Sequence, residues 1–66
     1  MIKNGFVRMR SGSWYNLSMV TCFYLEGNDL GYRVYAEFDS RWNQDISGPL
    51  GTYEEAQMFL DSLFIS

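Results

Sequence analysis

Thr52-Tyr53-Glu54-Glu55-Ala56-Gln57-Met58-Phe59-Leu60-Asp61-Ser62-Leu63-Phe64 is the stretch that decides the fold. Thr52 and Glu55 stand at capping-box spacing. The threonine hydroxyl accepts from the backbone N–H of Glu55, and the Glu55 carboxylate reaches back to the N–H of Thr52. Ala56, Phe59, Leu60, Leu63 and Phe64 then recur at the spacing of one helical face. The pattern predicts a helix from about Tyr53 to Phe64, with Phe59, Leu60 and Leu63 buried.

Upstream of that helix the sequence reads as strand and turn. From Gly5 to Arg10 the residues alternate, Val7 and Met9 to one side and Arg8 and Arg10 to the other. Ser11-Gly12-Ser13 is a turn signal. Trp14 to Leu25 is rich in aromatic and β-branched residues. It is too long for one flat strand, so a bend or bulge is expected at Asn16-Leu17-Ser18. Both faces of Met19 to Leu25 are apolar, which predicts a central strand. Glu26 to Gly31 suits a hairpin loop. Tyr32 to Phe38 is the cleanest strand, with Tyr32, Val34, Ala36 and Phe38 on one face and Arg33, Tyr35 and Glu37 on the other. Asp39 to Asp45 is polar around Trp42. Ile46 to Leu50 is a candidate last strand, kept to an edge or an end by Pro49.

The order is β-β-β-(β)-α with short connections, so neighbouring strands should run antiparallel. The fold expected is α+β: a three- or four-stranded antiparallel meander with one C-terminal helix on one face. Residues 1–66 make a single domain. A chain of this length sits near the lower limit for folding alone. Its 47% hydrophobic and 18% aromatic content still supports a core, and exceeds what a one-sided core needs.

Several chemistries are unprovided for. The chain has no histidine and one cysteine, Cys22, so an intramolecular disulfide and a Cys/His zinc site are excluded. Histidine-based acid–base catalysis is excluded with them. Cys22 lies in an apolar strand with no neighbouring cation to activate a thiolate, and reads as a small core residue. Glu54 and Glu55 have a sufficient reason at the positive end of the helix dipole. The glycines form no dinucleotide-binding or Walker motif. The expectation is therefore no enzyme activity, no catalytic residue, no metal and no cofactor.

The formal charge is −3 and unevenly placed. Residues 1–25 carry Lys3, Arg8 and Arg10 with no acid, while the remainder carries all eight acids and a net −6. Acidity argues against a general nucleic-acid binder, because phosphate neutralisation drives that affinity. The uncharged run Ser11 to Leu25 is too short and too polar to span a membrane. No secretion signal is evident, and one unpaired cysteine fits a reducing compartment, so a cytoplasmic location is expected.

One helix covers one sheet face. The other face must then account for the remaining aromatics, and a protein partner is the leading expectation. Trp14, Tyr24, Arg33, Tyr35 and Trp42 are the candidate partner-binding residues. The partner is either a second copy of the chain, which would make it a homodimer or structural subunit, or a larger protein complex. Gly12 to Val20, followed by Thr52 to Leu63, resembles the layout of many short prokaryotic and phage proteins. Size, acidity and simplicity fit a phage or mobile-element accessory protein that inhibits a host complex by occupying its surface. The alternative is a single-stranded nucleic-acid binder in which Arg8, Arg10 and Arg33 share a face with Tyr24 or Tyr35.

Overall fold

A computed structural model describes residues 2–39 and 42–64. In chain order the elements are β1 (Ile2–Lys3), β2 (Phe6–Arg8), β3 (Trp14–Asn16), a 3-10 turn (Leu17–Met19), β4 (Val20–Asn28), β5 (Gly31–Phe38), β6 (Trp42–Asp45) and α1 (Tyr53–Ser62). The architecture is α+β, with antiparallel strands and a C-terminal helix as expected. The strands divide into two three-stranded sheets, ordered β1-β2-β3 and β4-β5-β6.

Asn4-Gly5 builds the first hairpin. Both residues have positive φ, 53° and 82°, the pairing that a two-residue type I′ turn requires. Gly12 turns β2 back toward β3 at φ 97°. The bend expected at Asn16-Leu17-Ser18 is the 3-10 turn, where the Asn16 side chain accepts from the N–H of Ser18 at 2.9 Å. That turn carries the chain out of the N-terminal sheet and into β4.

β4 is therefore not central. Its register partner is β5 alone, and β5 holds the middle position between β4 and β6. Apolar residues on both faces of β4 suggested otherwise. A bulge explains part of that pattern: Val20 pairs with Phe38 and Cys22 with Glu37, leaving Thr21 as the extra residue. The bulge turns Val20 to the side of Phe23 and Leu25, where it packs on the core. The Thr21 hydroxyl donates to the Glu37 carbonyl at 2.8 Å.

The last strand also differs from expectation. Polar Trp42 to Asp45 forms β6, while in Ile46 to Leu50 only Leu50 is bridged, exchanging both backbone bonds with Tyr32 at 2.8 and 2.9 Å. A strand whose outer face meets water tolerates Asn43 and Asp45. The ladder breaks at Ser47-Gly48, where Gly48 has φ 74° and its N–H turns to the Asp45 side chain, and it resumes at Leu50 just past Pro49. Ser40 and Arg41, in the middle of the polar Asp39–Asp45 stretch, lie outside the described residues.

The core lies between layers. Val34, Ala36 and Phe38 project from one face of β5 and meet Ala56 and Leu63 of the helix segment and Val7 and Met9 of the N-terminal sheet. The alternation of Val7 and Met9 inward with Arg8 and Arg10 outward is observed. The Thr52 hydroxyl caps the helix, accepting from Glu55 N–H at 3.1 Å. The buried helix positions are Ala56, at 0% exposure, and Leu63, just past the last turn; Phe59 and Leu60 are half-buried. Tyr53 packs edge-on against Tyr32 at 5.9 Å and Phe64 against Phe23 at 5.6 Å, which pins both ends.

Candidate functional site

The face of the main sheet opposite the helix has no covering layer among the described residues. Direct cross-strand partners point to the same side of a sheet. The register pairs Cys22 with Glu37, Tyr24 with Tyr35, Glu26 with Arg33, Tyr35 with Asp45 and Glu37 with Asn43. These residues therefore form one surface. At its centre the Tyr24 and Tyr35 rings stack at 5.3 Å with 19° between planes. Arg33 is opposite Glu26 but bonds Asp45 on the other flank, its Nη1 donating to Oδ2 at 2.7 Å. The result is an aromatic centre with a rim of Glu26, Glu37 and the Arg33–Asp45 pair.

Asp45 ties this surface to the rest of the molecule. Its Oδ1 accepts from the N–H of Gly48 at 2.8 Å, and its carbonyl accepts from the N–H of Arg10 at 3.0 Å. The second bond joins the two sheets through the backbone. Arg10 also approaches Asp45 with its guanidinium, at 3.7 Å. Gly48 sits at φ 74°, and a Cβ there would come within 3.0 Å of Arg10 Nε, so the crossing needs glycine.

Partial burial, and then the carboxylates of Glu26 and Glu37, hold the Tyr24 phenol above the ordinary tyrosine range. Tyr24 therefore presents a neutral hydroxyl, donor and acceptor, at the centre of the face. Cys22 is exposed on this same face, a correction to its reading as a core residue. The register of β4 past the Thr21 bulge aims it away from the helix. Its thiol lies 3.9 Å from Glu37 Oε2, a weak contact.

Of the five candidate partner residues, Tyr24, Arg33 and Tyr35 come together on the open face. Trp42 does not join them. It pairs with Phe38 on the sheet side that carries the core, at the core's edge and still 44% exposed, where Tyr15, Phe38 and Trp42 contact one another at centroid distances of 5.0 to 5.3 Å. Trp14 belongs to the other sheet, across from Arg8. The expected grouping of Arg8, Arg10 and Arg33 with the tyrosines is not formed either: only Arg33 is on their face. Among the described residues no group of three His, Cys, Asp or Glu side chains is placed to hold a metal ion, and no helix is long and apolar enough to cross a membrane.

A second exposed surface was legible only in part: the charge split allows a basic patch on the first strand, but the placing of Phe6 and Trp14 beside it was not foreseen. Lys3 pairs with Phe6, Phe6 with Asn16, and Arg8 with Trp14, which places all five on the outer face of the N-terminal sheet. The signal that would have found it is the Asn4-Gly5 dipeptide, a strong short-range hairpin marker that folds Lys3 beside Phe6.

No family model matches the chain, and no curated protein or solved structure is significantly similar to it.

Proposed function

We propose that the protein is a non-enzymatic interaction module that docks a larger protein through the open face of β4, β5 and β6. The stacked Tyr24–Tyr35 pair carries this reading. Paired aromatic rings half-exposed at the middle of a sheet, ringed by charged groups, have the apolar centre and polar rim of protein interfaces. Both covering layers of the fold lie on the opposite side, so docking needs no rearrangement of the core. The Arg33–Asp45 pair keeps Arg33 in place as a rim contact.

The test is affinity capture from lysate with the wild type and with Tyr35→Ala, followed by calorimetry on the purified partner. As a central aromatic anchor, Tyr35 should cost about 2 kcal/mol of binding on truncation, roughly thirtyfold in affinity. Salt should change the affinity only modestly. Matched melting curves control for folding. A folded Tyr35→Ala protein that keeps full affinity for the partner defeats the proposal. Light scattering identifies the case in which the partner is a second copy of the chain.

A further inference from the structure

We propose that the outer face of the N-terminal sheet binds single-stranded nucleic acid, stacking bases on Phe6 and Trp14 and holding phosphates with Lys3, Arg8 and Arg10. This surface belongs to a different sheet from the tyrosine face and does not depend on that face binding anything.

The first argument is burial. Val7 of β2 and Met9 just past it turn inward to near-complete burial, yet Phe6 and Trp14 are each left 43% exposed on the other side. The two aromatics are diagonal neighbours, since Phe6 pairs with Asn16 and Trp14 is two residues from it on β3. Diagonal positions are about 7–8 Å apart. The structure has a cleft of about 300 Å³ there, lined by Lys3, Asn4, Phe6 and Trp14.

The second argument is charge. Three of the five cations of the chain are Lys3, Arg8 and Arg10, and residues 1–25 contain no acid. Among the described residues Lys3 and Arg8 make no ion pair, and Arg10 has only the 3.7 Å approach to Asp45. Phe6 and Arg8 share the outer side of β2, and Arg10 follows in the turn just beyond it, its backbone N–H bonded to the Asp45 carbonyl. Arg8 and Arg10 also line a shared groove of about 250 Å³ with Ile46 and Ser47. Cations in a row beside stacking rings match a strand whose charged backbone runs alongside flat bases. The acidic remainder of the molecule repels a polyanion, which confines docking to this sheet.

The experiment titrates oligo-dT and oligo-U into the full chain, reading tryptophan fluorescence in a Trp42→Phe background so that Trp14 is the only reporter. Stacking should quench it to saturation. With three phosphates neutralised, log affinity should fall against log salt with a slope of about −2. Arg8→Gln should weaken binding and flatten that slope by about 0.7. Trp14→Ala, followed by anisotropy of labelled oligonucleotide, should weaken binding about tenfold or more and leave the slope unchanged. Tyr35→Ala should bind like the parent protein, which separates this face from the open one. The inference is overturned if no oligonucleotide binds, if Arg8→Gln and Trp14→Ala bind like the parent, or if poly-glutamate or duplex DNA competes as well as the single strand.

Discussion

Removing the Asp45 carboxylate should loosen the junction between the two sheets, and its cost follows from three contacts. In Asp45→Ala the N–H of buried Gly48 loses its acceptor at 2.8 Å. An unsatisfied buried donor costs about 1–3 kcal/mol. The ion pair with Arg33 is short, but the two side chains are 38% and 20% exposed. Solvent screening reduces it to about 0.5–1 kcal/mol. The Arg10 approach, at 3.7 Å and more than half exposed, adds a few tenths at most. The terms span about 1.5–4 kcal/mol and centre on about 2–3 kcal/mol, a large share of the roughly 3–10 kcal/mol expected for a domain of this size. Thermal denaturation should show it as a Tm lower by about 10–20 °C. Asp45→Asn separates the terms, because its amide oxygen still accepts from Gly48; about 1 kcal/mol should be lost. Urea melts of both variants, with Arg33→Gln and the double mutants, complete the cycle. If Asp45→Ala costs under about 0.5 kcal/mol, or if the alanine and asparagine variants are equal, the Gly48 bond is not the main term and the reasoning fails.

Helix packing gives a second test: Leu63→Ala should destabilise by about 2–4 kcal/mol and half-buried Leu60→Ala by distinctly less, in the same urea melts; the reverse ranking would show the helix rotated on the sheet. Gly31 sits at φ 123°, and a Cβ there would lie 2.6 Å from the Leu50 carbonyl oxygen. Gly31→Ala should therefore cost about 1–3 kcal/mol and expose the Tyr32 and Leu50 amides to hydrogen exchange; unchanged protection would refute the close approach. For Tyr24 the folded-state pKa is raised, so the neutral phenol is favoured by folding. That contribution is complete below the unfolded tyrosine pKa and disappears as pH rises through the folded value. The near-ultraviolet titration difference between wild type and Tyr24→Phe should fall above the usual tyrosine range, and a difference within that range would contradict the burial described.

The Thr52–Phe64 helix was legible because its cap and its apolar spacing are local. The hydroxyl, the N–H it accepts from and the repeat all lie within a few residues. The alternations of Val7 with Met9 and of Val34 with Ala36 were legible for the same reason: strand periodicity is a property of consecutive residues. From them followed the α+β class, and the placing of Arg33 and Tyr35 on one face. What the local pattern leaves open is which strands become neighbours. Only tertiary pairing sent β3 to β2 rather than to β4, put β4 at an edge, and so left its two apolar faces unequal. The bulge at Thr21 turned Val20 inward, and Cys22 points outward from the register that follows it. Trp42 and Trp14 look alike in sequence as exposed aromatics. Both stay exposed, at 44% and 43%, but pairing with Phe38 set Trp42 against the aromatic edge of the core, and pairing with Arg8 set Trp14 beside cations on the outer sheet. Periodicity fixes which residues share a side of a strand, but which side meets water depends on contacts between residues far apart in the chain.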